Sequence, residues 1–148
     1  MRMPLNLKTI FLCLLLAGCG ETDDSTKTPI ESSDPNTMIQ MAIDKQRIGA
    51  YDEAIDILRQ ALELDTQFVP AYIRMGLVYD EADQRQEAIE SFNKVLAMEP
   101  KNLQARVGLG NVYSKMTRND LAVAEFLKAE PLQPNDTEIL FKIALEYW

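Results

Sequence analysis

Tyr72-Ile73-Arg74-Met75-Gly76-Leu77-Val78-Tyr79, then Ala88-Ile89-Glu90-Ser91-Phe92, then Pro100, is the stretch that decides the fold. Tyr72, Met75, Gly76 and Tyr79 recur at i, i+3, i+4 and i+7, one face of an α-helix. Asp83-Gln84-Arg85 interrupts that pattern with a polar break. Ala88, Ile89, Phe92, Val95 and Leu96 then mark the buried face of a second helix, which Pro100 closes.

The same helix pair returns every 34 residues. With residues 35–68, 69–102 and 103–136 superimposed, Ala54, Ala88 and Ala122 share a column, and Leu58, Phe92 and Phe126 another. Ala61, Val95 and Ala129 form a third, and Ile55, Ile89 and Val123 a fourth. Gly76 aligns with Gly110, Tyr79 with Tyr113 and Tyr147, and Pro100 with Pro134. The breaks in the first and third blocks fall at Gly49-Ala50 and Thr117-Arg118-Asn119.

A fixed period of this size specifies stacked units that each need a neighbour to bury their apolar face. The expected fold class is therefore all-α, an α-α superhelix of helix-turn-helix repeats with a partial fourth unit over 137–148. The small columns have a steric reason. A side chain at Gly76 or Gly110 would force the two helices of a unit apart, and Ala54, Ala88 and Ala122 keep the second helices close.

These columns resemble the tetratricopeptide repeat. The second block carries Tyr72-x-x-Met75-Gly76-x-x-Tyr79, Ala88-x-x-x-Phe92 and Pro100. The third carries Leu109-Gly110-x-x-Tyr113, Ala122-x-x-x-Phe126 and Pro134, with Arg106 where a large apolar residue is usual. The first block has Ala42 for the Gly, Lys45 for the Tyr and Thr66 for the Pro, departures that suit an edge unit. Pro131 is expected to end the sixth helix near Ala129 or Glu130. A seventh helix is expected from Thr137, with Leu140, Ile143, Ala144 and Tyr147 in its packing columns.

The resemblance implies a concave groove lined by the first helix of each unit. Residues three before and one after the small-residue column would point into it: Ile39, Ile43, Ile73, Leu77, Val107, Asn111, Phe141 and Leu145. All but Asn111 are apolar, which fits a helical or extended apolar segment of a protein or peptide partner. Ordinary packing between units is the other reading of the same stripe. Asp80 and Glu81 stand near the expected rim; a solvated helix face is the first reading of the pair, and a preference for a basic partner the sharper one.

A subset of the family clamps chaperone C-terminal carboxylates with paired Lys and Asn columns. Only Arg74, Asn111 and Lys115 stand in suitable places here, so that reading is rejected. The last helix has few polar positions and is expected to be covered, either by a partner or in a homodimer through 137–148.

The N-terminus reads separately. Arg2 and Lys8 precede the apolar run Ile10-Phe11-Leu12-Cys13-Leu14-Leu15-Leu16, which is too short for a bilayer span. Leu16-Ala17-Gly18-Cys19 resembles the lipobox of bacterial lipoproteins. That resemblance implies a signal peptide over 1–18, cleavage before Cys19, and diacylglycerol and acyl (palmitate-type) modification of Cys19. Two or more acyl chains make a stable membrane anchor. Gly20 after the Cys, instead of the Asp that retains enteric lipoproteins at the inner membrane, implies the outer membrane facing the periplasm. Residues 19–34 are rich in Ser, Thr, Asp and Pro and read as a flexible tether.

Composition narrows the function. The formal charge of −8 argues against nucleic acid, whose phosphates require clustered Lys and Arg. The sequence contains no His, so imidazole bases and ligands are excluded, and no Gly-rich phosphate loop or metal-ligand spacing is present. No catalytic residue, metal or cofactor is expected. Together the two resemblances imply a membrane-anchored periplasmic adaptor for envelope protein assembly. A pilotin-like factor for type IV pili and a self-associating structural subunit are the alternatives.

Overall fold

The computed structural model describes residues 34–146. The leader, Cys19, most of the tether, Tyr147 and Trp148 lie outside the described residues. Seven helices follow in order: α1 Pro35–Arg47, α2 Tyr51–Leu64, α3 Val69–Glu81, α4 Arg85–Met98, α5 Leu103–Lys115, α6 Asn119–Ala129 and α7 Thr137–Glu146. A 3₁₀ turn, Glu130–Leu132, follows α6. Pro131 therefore ends that helix where the sequence places its end. No strand occurs among the described residues. The architecture is the expected all-α superhelix.

Helix boundaries repeat at 34 residues because their chemistry does. Gly49, Asp83 and Thr117 all adopt left-handed backbone, at φ of 77°, 63° and 57°. Each ends the first helix of its unit in the same pair of bonds. The N–H of Ala50, Gln84 and Arg118 donates to the carbonyl of Lys45, Tyr79 and Tyr113 at 2.8–2.9 Å. The N–H of Gly49, Asp83 and Thr117 donates to Gln46, Asp80 and Ser114. This Schellman closure satisfies carbonyls that the helix end leaves open. It also places Arg85 and Asn119 in the first turns of α4 and α6, so each polar break lies one residue earlier than the sequence reading put it.

Helix starts follow the same period. Asp34, Asn102 and Asp136 share a column, and each side chain accepts N–H groups of the first turn that follows it. Phe68 occupies that column in the second unit and makes no side-chain cap. The N–H of Asn36 and the hydroxyl of Thr37 hold the Asp34 carboxyl below the ordinary carboxylate range.

The helices form two layers. Each even helix packs between the odd helix of its own unit and that of the next, and α1–α3 and α3–α5 also touch. The inner odd helices α3 and α5 are therefore buried on two sides. Ala71, Ala105 and Ile139 form one deeply buried column, and Val78 and Val112 another. Neither belongs to the single face that the i, i+3, i+4, i+7 pattern picks out.

The tightest contacts join a ring to a glycine. A Cβ at Gly76 would lie 2.7 Å from the Phe92 ring, and one at Gly110 would collide with the ring of Phe126. Gly108 makes a third such contact: its Cβ would lie 2.5 Å from Cζ of Phe92. Phe92 is thus held between glycines of its own unit and of the next. In the first unit Ala42 and Leu58 occupy the matching columns, both fully buried, so a smaller side chain faces the larger residue.

One expected packing set is corrected. Ile139 is the buried residue of α7 and Ile143 packs partly against the Phe126 cluster, while Leu140 is 45% exposed and Ala144 is exposed. The Leu140–Ala144 columns face the second helix of a unit, as Gly76 and Gly110 do. No such helix packs on α7 among the described residues. Tyr147 lies outside them.

The Phe92 contact yields a test. Gly108→Ala is expected to cost about 1–3 kcal/mol, read as a lower urea midpoint. Phe92→Leu in the Gly108→Ala background should recover part of that loss if the ring is what the new methyl meets.

Candidate partner-binding groove

The proposed groove residues come from four odd helices, which the stacking places side by side. Ile39 and Ile43 on α1, Ile73 and Leu77 on α3, and Val107 and Asn111 on α5 are all half-buried. Phe141 and Leu145 on α7 are 62% and 57% exposed. The fold does not treat these positions alike. Val107 packs partly against the cluster of Ala122, Phe126, Ala129 and Ile139, the inter-unit role that the stripe's other reading predicts. Ile43 opens on a recess of about 490 Å³ with Gln46, Arg47, Arg74 and Glu81 around it.

The polar groups near this surface are largely engaged with one another. Asn111 Oδ1 accepts from Lys142 Nζ at 2.8 Å. Lys142 also pairs with Glu138 at 3.4 Å and lies 5.9 Å from the centre of the Phe126 ring. It stands in the column of Gly108, so the slot above the aromatic ring holds a glycine in one unit and an ammonium in the next. Arg74 donates to Gln46 Oε1 at 3.4 Å.

Asp80 takes Lys115 on Oδ2 at 2.6 Å and Arg85 on Oδ1 at 3.5 Å, with only 12% of its side chain exposed. Arg85 pairs with Asp83 as well. Asp80 therefore joins α3, α4 and α5, and is neither the solvated charge nor the free rim charge that the sequence offered as readings. Glu81 is exposed beside the Ile43 recess.

Arg106, the odd residue of its column, is explained in the same terms. Its guanidinium pairs with Glu125 at 3.0 Å across α5 and α6 and donates to the Pro100 carbonyl at 2.6 Å. A charge-assisted pair replaces apolar packing there. Among the described residues, no three His, Cys, Asp or Glu side chains converge as a metal site would require.

Sequence reasoning passed over Lys142 and Gly108. Lys142 carries no motif, and only the stacked neighbour shows what it bonds. Gly108 was legible in principle, as a second glycine two residues before Gly110.

Two family models described as tetratricopeptide repeat match residues 81–140 and 46–68, together more than half of the 148-residue chain. The chain is a tetratricopeptide-repeat protein. None of the curated proteins matches it in sequence. Among solved structures, MamA is 26% identical with a TM-score of 0.68, over 76% of this chain and 62% of MamA. This tetratricopeptide-repeat chain thus spans less than two thirds of MamA's length.

The first tetratricopeptide domain of Spaghetti (RPAP3), bound to the HSP90 peptide SRMEEVD, aligns at a TM-score of 0.72 and 17% identity. That match covers 80% of this chain and 94% of that one. The Arabidopsis OM64 domain aligns at 0.69 and 18% identity, covering 76% and 93%. At those identities the likeness to Spaghetti and OM64 is one of fold.

The internal bonds of Arg74, Asn111 and Lys115 bear directly on carboxylate recognition. A clamp needs cations free to meet a carboxylate, and here Arg74 and Lys115 already donate to Gln46 and Asp80 while Lys142 holds the Asn111 oxygen. The peptide SRMEEVD is expected to bind the full chain more weakly than about 1 mM by calorimetry.

Proposed function

We propose that this protein is a lipid-anchored periplasmic adaptor whose concave groove takes an apolar helical or extended segment of a partner, in the service of envelope protein assembly. The tetratricopeptide-repeat fold makes it a protein–protein interaction scaffold, and family members and structural relatives are typically scaffolds without catalysis. The observation that carries the groove reading is the run of half-buried apolar side chains across successive odd helices: Ile39, Ile43, Ile73 and Leu77. Half-burial leaves each with surface to cover, while its base is fixed by the neighbouring unit. The Spaghetti domain solved with a peptide supports peptide binding as a use of this fold.

The anchor reading rests on the sequence Leu16-Ala17-Gly18-Cys19 and the leader before it. A lipid on Cys19 and a polar tether would hold the repeats a short distance off the outer membrane. At that surface the protein gains effective concentration toward partners in the same envelope.

Each part has its own measurement. Full burial of one large apolar side chain contributes roughly 1.5–3 kcal/mol, so Ile73→Asp with Leu77→Asp should reduce partner affinity by about 100-fold or more. Crosslinked capture from envelopes reads this, with helicity and melting temperature unchanged in the variant. Capture that survives the double substitution removes the groove from the proposal. For the anchor, radiolabelled palmitate should enter the wild type and Cys13→Ser but not Cys19→Ser, and the label should fractionate with outer membrane.

A further inference from the structure

A recess of about 270 Å³ opens between α2, α3 and α4, with Tyr72 and Ser91 in its lining. The residue types explain the room. The columns of Tyr72 and Ser91 carry Met38 and Ile57 in the first unit, both buried, and Arg106 and Glu125 in the third, which pair at 3.0 Å. Tyr72 instead turns its hydroxyl to the Thr66 carbonyl at 3.3 Å. Ser91 is short, and its hydroxyl folds back to the Glu87 carbonyl at 2.8 Å. Neither side chain fills the space that the other two units close.

Two carboxylates on the α4 wall lack the cations that the first unit supplies. Glu87 and Glu90 line the recess and stand in the columns of Glu53 and Asp56. Glu53 pairs with Lys45 at 2.5 Å, and Asp56 with Arg59 at 3.3 Å. In the second unit the Lys45 column holds Tyr79 and the Arg59 column holds Asn93, neither of them a cation. The third unit lacks cations in both columns too, but it has Leu121 and Ala124 where the carboxylates would be. The second unit alone keeps the carboxylates without their cations. Among the described residues the Glu87 side chain makes no hydrogen bond or ion pair, and Glu90 accepts only from the neutral amide of Gln86 at 3.2 Å. The two cations in the lining are engaged elsewhere. Arg59 bonds Asp56 and Tyr79 Oη, and Lys94 lies 5.6 Å from the centre of the Tyr72 ring.

The floor selects the kind of cation. Tyr72, Met75 and Tyr79 line it from one face of α3, two phenol rings and a thioether. An arginine suits such a surface, because its stem is apolar and its flat guanidinium both stacks on aromatic rings and bonds carboxylates. The volume lies below the range of about 300–1,000 Å³ usual for small-molecule sites, so one long side chain is the better fit.

We propose that this recess takes an arginine side chain of a partner protein, its stem against Met75 and the two tyrosines and its guanidinium against Glu87 and Glu90. The formal charge of −8 favours the approach of a basic segment. The site is separate from the groove, since Ile73 and Leu77 lie in other columns of α3.

The test uses the full chain in mild detergent, isotopically labelled at its methionine methyl groups and observed by NMR. Met75 reports on the recess, and Met116, at the end of α5, is the control. The probe is the peptide acetyl-Ala-Ala-Arg-Ala-Ala-amide, which should shift the Met75 methyl saturably and leave Met116 in place. Glu87→Gln with Glu90→Gln, both at exposed positions, should weaken binding by about 5-fold or more. Ser91→Ile, the first unit's residue, should fill the recess and abolish the shift, whereas Ser91→Ala keeps the room and should retain it. Ile73→Asp with Leu77→Asp should leave the Met75 response unchanged, so this proposal and the groove reading fail independently. Three results each overturn it: no saturable Met75 shift, an equal response to a peptide with norleucine or glutamate in place of the arginine, or an affinity indifferent to the double glutamine variant.

Discussion

The stack depends on how closely an aromatic ring can approach a helix backbone. Phe92 is 1% exposed and lies against Gly76 on one helix and Gly108 on another. A ring held between two backbones fixes the separation of α3, α4 and α5 at once. Close-packed interiors transmit such a constraint, because neighbouring side chains have no slack to absorb a shift. Phe126 repeats the arrangement against Gly110, and Leu58 in the column facing Ala42 gives a version with the sizes exchanged.

Charge is used differently from apolar packing. Asp80 gathers Lys115 and Arg85 from two other helices, and Arg106 meets Glu125 where its column otherwise carries Met38, Tyr72 or Leu140. Asp80, Arg106 and Glu125 are partly shielded from water, so these pairs matter for the geometry of one helix against another. They also occupy side chains that a surface reading would count as available to a ligand. The side chains proposed to line the groove are by contrast mainly apolar.

Much of the fold was legible from spacing alone. The columns of Ala54, Ala88 and Ala122 and of Phe92 and Phe126 are buried as the period requires, and Pro131 ends α6 at the place its missing N–H demands. The candidate groove was less legible. Its eight residues follow from position in the repeat, but whether a side chain is half-buried like Ile73, packed toward a core cluster like Val107 or bonded like Asn111 depends on the neighbouring unit. The left-handed turn residues Gly49, Asp83 and Thr117 were hidden for another reason. Three different residue types fill one backbone role, and only the hydrogen bonds show that the role is shared.

The sequence by itself determined the architecture, because a 34-residue recurrence of small and large apolar residues admits one way of stacking helix pairs. It determined the absence of imidazole chemistry, because it contains no His. Tertiary structure decided which face of each helix is spent. Leu140 and Ala144 sit in columns that the pattern assigns to the core, yet they are exposed. The reason is that burial belongs to pairs of surfaces. A periodic sequence states which face a helix would bury, and only the arrangement of its neighbours says whether a surface is there to meet it.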